Sequence, residues 1–280
     1  MKTGLRLHLF DHSYPPLLLR YPQLIRFIHA WNRLFLQRNR LTLSLLRQHL
    51  PVLPPGSLVV DAGCGDGLHI FSACRTFRQL RFWGVDKNEH NIHFCKKRSS
   101  GLASDPARLQ FFHQQLEELS LPEKADVILC VGTLQYIADD RQVLENFYNT
   151  LKINGKLLIY IPVNGRIILP LYRYFFKKPD DQKKPLIRLR VYTPEEIFEK
   201  IETAGFTLRE RHFTYGPVGI AGHEIYSLLL MGLGNSGGWI WLLAPVFSLL
   251  MPLVLLLKTA DYFLPKNNGN GVLIMAEKSH

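Results

Sequence analysis

From residue 58 onward, short apolar runs alternate with longer polar stretches of helical period. The runs are LVVDA at 58–62, RFWGVD at 81–86, LQFFH at 109–113, ADVILCV at 125–131 and KLLIYIPV at 156–163. Such near-continuous apolar runs predict strands buried on both faces. Between them the pattern predicts helices from the first glycine loop to about residue 79, over 89–98 and over 139–151. Strand–helix alternation at this spacing implies right-handed crossovers and a parallel sheet. Upstream, residues 22–50 carry Leu24, Ile25, Ile28, Trp31, Leu34 and Phe35 near helical spacing and predict an amphipathic helical region, closed by Pro51, Pro54, Pro55 and Gly56.

After residue 163 the pattern changes. Residues 164–192 are basic and aromatic. Thr193 before Pro194, Glu195 and Glu196 reads as a helix N-cap, with Gly205 as the stop. FTLRERHFTY at 206–215 alternates as a sixth strand, 217–264 is mostly apolar and helical, and GVLIMAEK at 271–278 is a seventh strand. The expected fold is a Rossmann-like α/β domain: a seven-stranded, mostly parallel sheet with helices on both faces, an antiparallel last strand and an apolar helical insertion before it. The expected division is an N-terminal helical cap over 1–55, a core over 56–163, a basic insertion over 164–192, and the rest of the core over 193–280.

Within the last part, residues 239–257 contain no charge and, as a helix, would reach about 29 Å, close to a bilayer core. A single crossing is not expected, because the last strand must return to the same sheet, and Pro245 and Pro252 are expected to interrupt the helix. Three readings stand: a lid over a greasy pocket, a hairpin of 221–233 and 239–264 about Asn235–Gly238 dipping into one leaflet, or a homodimer interface.

Charge sharpens this. The net +11 is concentrated in two segments. Residues 1–50 hold eight Lys or Arg against Asp11 alone, and residues 164–190 hold eight against Asp180 and Asp181. An anionic membrane surface or a nucleic acid would attract such segments, and solvated helix faces would carry them equally well. The four cysteines, Cys64, Cys74, Cys95 and Cys130, form no CxxC pair, which fits reduced thiols and neither a zinc site nor a disulfide framework. The first residues show no continuous apolar signal segment, so the expected location is the cytoplasm, peripheral on the inner membrane face.

The chemistry-bearing stretch is Val59-Val60-Asp61-Ala62-Gly63-Cys64-Gly65-Asp66-Gly67. A strand feeds a glycine turn that opens a helix, so backbone N–H groups face a ligand at close range. The spacing is G-x-G-x-G rather than the G-x-G-x-x-G of dinucleotide binders. Asp61 beside the turn would repel a pyrophosphate and attract an ammonium group. Asp86, ending the second strand about 20 residues beyond the loop, is placed to accept from ribose hydroxyls.

Together these residues resemble the class I S-adenosylmethionine-dependent methyltransferases of the small-molecule and lipid type. VVDAGCGDG is similar to that family's first motif, GVDKN to its second, FFHQQLEELSLP to its third, and DVILCVGTLQYIADD to its fourth-strand motif. LKINGKLLIYIP resembles the fifth-strand segment, and YTPEEIFEKIETAGF is a weaker echo. The resemblance implies S-adenosyl-L-methionine as cofactor. Asp61, Gly63, Cys64, Gly65 and Gly67 would hold its methionine portion, Asp86 its ribose, with Lys87 at the adenine edge. Gln115 and Leu116 would flank the adenine; Gln115 departs from the family's usual acid. Val131, Gly132 and Gln135 would lie near the sulfonium. Either Arg38 or Arg40 would serve the cofactor carboxylate, or both would be solvated. No metal site is expected; His90 and His93 read as solvated.

Methyl transfer needs a general base only when the nucleophile arrives protonated. Candidates are His12, His113, Tyr136, Tyr160, His223 and Glu224, with His223 and Tyr136 foremost. The expected acceptor is a hydrophobic small molecule or lipid-like compound, methylated on oxygen. The competing classes are an RNA or protein methyltransferase and a cofactor-binding protein without catalysis. No RNA-binding module is recognisable, and a long apolar stretch has no place in that role.

Overall fold

A computed structural model describes residues 22–100, 102, 105–176, 190–235 and 240–279. Seven strands form one sheet in the order β3-β2-β1-β4-β5-β7-β6: β1 Leu58–Ala62, β2 Arg81–Asp86, β3 Leu109–His113, β4 Ala125–Val131, β5 Leu151–Pro162, β6 Phe206–Thr214 and β7 Gly271–Lys278. The first five run parallel, and β7 lies antiparallel between β5 and β6. Sheet type and last-strand direction are as the sequence predicts.

Helices cover both faces. On one, α2 (Gln37–His49), α3 (Leu68–Thr76) and α4 (Glu89–Ser99) bury Leu46, Ile70 and Ile92 against Val59, Phe82 and Leu129. On the other, α5 (Asp140–Thr150) and α7 (Pro194–Thr203) bury Phe147 and Ile197 against Leu58, Ile128 and Ile159. The alternation of Leu58, Val59 and Val60 between the two clusters is the period of two that a buried strand imposes. Helix α7 begins with a complete capping box between Thr193 and Glu196.

The amphipathic region at the start is two helices, not one. Helix α1 (Pro22–Phe35) stops at Leu36, whose extended backbone (φ −106°, ψ 108°) turns the chain into α2. That break lets α1 pack on the C-terminal hairpin, α8 (Pro217–Asn235) and α9 (Ile240–Phe263), while α2 packs on the sheet. A short helix, α6 (Pro170–Phe176), precedes residues 177–189, which with His12 lie outside the described residues.

Two expectations are corrected. Pro245 and Pro252 do not interrupt α9, which runs continuously through both. Each proline removes one backbone hydrogen bond, but neighbouring turns and packing on α8 carry the helix past it. The fifth strand also starts before the apolar run at 156–163, ahead of the Asn154-Gly155 pair, whose residue types signal a turn. It begins at Leu151, with Asn154 left-handed at φ 62° and an irregular register opposite Ala125 and Val127. A bulge absorbs the turn signal inside the strand.

The hairpin is tied to the rest by polar groups at its base. Gln37, 1% exposed, donates to Lys258 O and to Asp261 Oδ2, each at 2.9 Å, and accepts from Tyr215 N at 2.8 Å. Lys258, fully buried, donates to Phe35 O at 2.9 Å and sits 4.2 Å from the Tyr226 ring centroid. A buried lysine is tolerated only with such partners. Above this base, Phe35, Tyr226, Met251 and Val254 form a small apolar core. The outer face of α9 is bare: only 22% of Pro245–Phe263 is buried, and Leu249 and Leu256 are 78% and 65% exposed. A core helix of a soluble domain would be mostly covered.

Replacing Gln37 by alanine should leave buried Tyr215 N without its partner and take one donor each from Lys258 O and from Asp261 Oδ2, which keeps Gly216 N at 3.2 Å. We expect a stability loss of about 2–4 kcal/mol, read by thermal or urea unfolding, with the near-ultraviolet signal of Trp31, which donates to Tyr226 of the hairpin, lost first. A loss below about 0.5 kcal/mol would mean that the hairpin is not anchored through this residue.

Candidate active site

The site lies at the carboxyl ends of β1, β2 and β4. Gly63 N and Cys64 N both donate to Val85 O, at 2.7 and 3.0 Å, which closes the turn after β1 against β2. Gly63 is left-handed (φ 80°), and a Cβ there would lie 2.2 Å from Thr133 Oγ1, so the turn and the β4 exit can meet only at a glycine. At Gly65 a Cβ would meet nothing within 4 Å: the loop opens onto free space, as close approach of a ligand requires. Gly67, left-handed at φ 74°, then starts α3.

Three carboxylates ring this loop. Asp86 receives Gly65 N through Oδ2 and Asn88 N through Oδ1, both at 2.8 Å, so the second-strand acid also shapes the glycine turn. Asp66 receives His29 Nε2 at 2.8 Å, and Arg98 lies 3.4 Å from the other ring nitrogen. Asp61 is 2% exposed, and its Oδ2 is buried without a hydrogen-bond partner among the described residues. Burial first, then the charges of Asp86 and Asp66, push its carboxyl up to about 8. A second orphaned acceptor, Gln135 Oε1, is buried at the β4 exit, where Gln135 Nε2 donates to Gly132 O at 2.7 Å. Two bare acceptor oxygens and an excess of negative charge call for a cation with N–H donors.

Arg38 and Arg40 separate. Arg38 Nη1 lies 3.5 Å from the position of a Cβ at Gly132, at the site. Arg40 instead donates to Thr259 Oγ1 at 3.2 Å and packs over the Tyr262 ring at 4.6 Å, holding α9. Of the residues expected at the adenine, Lys87 and Gln115 are exposed and Leu116 is buried; His113 Nε2 donates to Lys87 O at 2.9 Å and is exposed. Cys64 is buried and its thiol is held well above the ordinary range by hydrogen bonding to Cys95 and by burial. His90 and His93 are exposed, and among the described residues no group of three metal-ligating side chains occurs.

Of the candidate bases, Tyr160 and His223 come together around Tyr215. Tyr215 is left-handed at φ 54°, an uncommon state for a tyrosine, and its ring lies 5.1 Å from that of His223. Burial and the neighbouring Tyr160 hold its phenol well above the ordinary value. Tyr160 shares a hydrogen bond with Thr214 at 3.1 Å. Tyr136 is half-buried in the turn after β4. Glu224 is not available as a base: its carboxylate receives Ile168 N at 2.9 Å and Leu169 N at 2.6 Å, holding the entry to α6. Asp140, 2% exposed, gathers Arg190, Lys200 and Tyr192 and so fixes residues 190–192 beside Gln135. Sequence reasoning missed His29, Tyr215 and Asp140, because their partners are distant in the chain and no local motif marks them.

Residues 60–157 match the profile of a methyltransferase domain family. The mitochondrial ubiquinone biosynthesis O-methyltransferase of Schizosaccharomyces pombe is 30% identical over 107 residues, 37% of each chain. The malonyl-[acyl-carrier protein] O-methyltransferase of Bacillus anthracis is 29% identical over 100 residues, 36% of this chain and 35% of that one. The chain thus matches little more than a third of either relative's length. Phosphoethanolamine N-methyltransferase 2 of Haemonchus contortus, solved with phosphomonomethylethanolamine and S-adenosylhomocysteine, shares the fold at TM-score 0.57, with 18% identity over 86% of this chain and 53% of that one.

Asp61 should make binding of S-adenosylhomocysteine pH-dependent. Its raised value means that the empty fold is most favoured below the ordinary carboxyl range and loses that contribution as pH rises through about 8. An ammonium beside it stabilises the carboxylate, so binding should release a proton. Affinity should rise between about pH 6 and about pH 8 and level above, and Asp61→Asn should flatten the profile. Calorimetry in buffers of different ionisation enthalpy measures the proton; a profile unchanged by Asp61→Asn would remove Asp61 from the site. Motif order, sheet topology and matched profile agree: the chain carries a class I S-adenosylmethionine-dependent methyltransferase domain.

Proposed function

We propose that the protein methylates an oxygen of a hydrophobic, lipid-like acceptor at an anionic membrane surface. S-adenosylmethionine supplies an electrophilic methyl group on a sulfonium. In this reading the Gly63–Gly67 loop and Asp61 hold the methionine portion, Arg38 meets its carboxylate, and Asp86 accepts from the ribose. Lys87, Gln115 and Leu116 flank the adenine, and Val131, Gly132 and Gln135 face the sulfonium. His223, half-buried beside Tyr215, takes the acceptor's proton. Tyr136 lines the path between.

The observation that carries the reading is the bare hairpin coupled to the site. Helix α1 touches the glycine loop through His29 and Asp66, and the hairpin through Trp31 Nε1, which donates to Tyr226 OH at 3.0 Å. Its outer side presents Phe27 and Leu34, 63% and 44% exposed, with Arg26 and Arg33 along one edge. An apolar strip edged by arginines suits a helix lying in a membrane interface. The names of the O-methyltransferase relatives are compatible with such an acceptor.

Cells supplied with methyl-tritiated methionine should show a labelled, organic-extractable species only when the protein is present. Label in RNA or protein instead would overturn the acceptor class. With the acceptor in hand, His223→Ala should lower turnover about 100-fold and leave S-adenosylhomocysteine affinity unchanged.

The membrane contact is read separately by vesicle flotation. The wild type should float with anionic vesicles, less so in high salt. Changing Leu249, Leu253 and Leu256 to serine should abolish flotation; all three are exposed, so the fold should survive. A wild type that stays soluble beside the vesicles as a clean monomer would leave the hairpin as a lid.

A further inference from the structure

Away from the methyl site, a cleft of about 210 Å³ opens between α2 and α3 where the end of α1 reaches them. Arg33, Arg47 and Arg75 stand around it, over a floor of Leu43, Leu46 and Phe77. The three arginines come from three different helices. Arg33 Nη1 donates to Ser72 Oγ at 3.4 Å, and that hydroxyl donates back into α3 at Leu68 O, 2.6 Å away. Among the described residues, no carboxylate pairs with any of the three. By contrast Arg81, Arg141, Arg190 and Arg209 each have an acidic partner.

Like charges lining one cleft repel, screened by water where Arg47 and Arg75 are exposed, and an anion seated among them offsets that repulsion. Guanidinium groups match a tetrahedral oxyanion by paired N–H donors, and a partly apolar floor lowers the local dielectric and strengthens each contact. At about 30 Å³ per water, the cleft holds a phosphate group with part of its hydration. Arg33 also stands on the basic edge of α1, next to the exposed apolar strip of Phe27 and Leu34.

We propose that this cleft is a phosphate-binding site, separate from the methyl-transfer site, and that it takes the headgroup phosphate of an anionic lipid when α1 lies in the membrane interface. The choice of lipid as the source rests on the membrane reading above; the phosphate site itself does not.

The test compares the full chain with an Arg33→Gln, Arg47→Gln, Arg75→Gln variant and with a charge-matched control, Arg141→Gln, Arg209→Gln, Arg211→Gln. Calorimetry with inorganic phosphate and with glycerol 3-phosphate reads the site in the absence of membrane. Flotation on phosphatidylcholine vesicles with and without phosphatidic acid reads the lipid. S-adenosylhomocysteine affinity reports that each variant is folded. We expect the cleft variant to lose soluble phosphate binding at least about tenfold, one charged contact's worth, and to lose the phosphatidic acid dependence of flotation, while the control keeps both. Loss of soluble phosphate binding with flotation unchanged assigns the site to a soluble phosphate ligand and overturns the lipid source. Equal binding by wild type and cleft variant in both assays, or an equal loss in the control, overturns the site.

Discussion

The antiparallel return of β7 between β5 and β6 governs the architecture. Among the described residues strand β6 has no other neighbour in the sheet, so both halves of the C-terminal part depend on those eight residues. Because the chain leaves the sheet after β6 and re-enters at β7, everything between must go out and come back on one side. That requirement turns a segment long and apolar enough to span a bilayer into a hairpin with a base and a tip. The base is polar and tightly partnered, through Gln37, Lys258 and Asp261; along the outer face of the second helix Leu249, Leu253 and Leu256 are exposed. The same requirement places the hairpin's base against α1 and α2, the two helices that also overlook the cofactor loop.

The site is built on a different tension. Three acids converge on one turn, and each is handled differently. Asp86 is satisfied by backbone N–H groups, Asp66 by a histidine from α1, and Asp61 is left buried with one oxygen bare. Removing a carboxylate from water without a partner favours its neutral form, which is why Asp61 holds its proton so high. The arrangement is therefore poised for a positive ligand and resists a negative one. Arg38, reaching in from α2 beside Gly132, supplies the opposite charge at one corner, which suits a zwitterion better than a simple cation.

Much of this was legible in the chain. Alternating apolar runs determine a parallel sheet because only buried strands can be apolar on both faces, and G-x-G-x-G after VVD marks a turn that no side chain could follow. What was illegible was tertiary. Leu36 carries no breaker chemistry, yet the helix stops there because α1 and α2 face different partners. Pro245 and Pro252 are strong local breakers, yet packing overrides them. The pairing of His29 with Asp66 across 37 residues, and the division of labour between Arg38 and Arg40, follow from which way each helix side points once α1 has turned. Glu224 looked like a proton acceptor from its place beside His223; two backbone amides take it up instead.

The position of β7 also bears on how the protein is made. During synthesis the apolar hairpin emerges before the strand that completes the sheet, so for a time it exists beside an unfinished domain with β6 unpaired. An aqueous hairpin in that interval would expose Leu249, Leu253 and Leu256 together with an open strand edge, a combination prone to aggregation. The order of synthesis thus requires the hairpin to be covered before β7 can close the sheet.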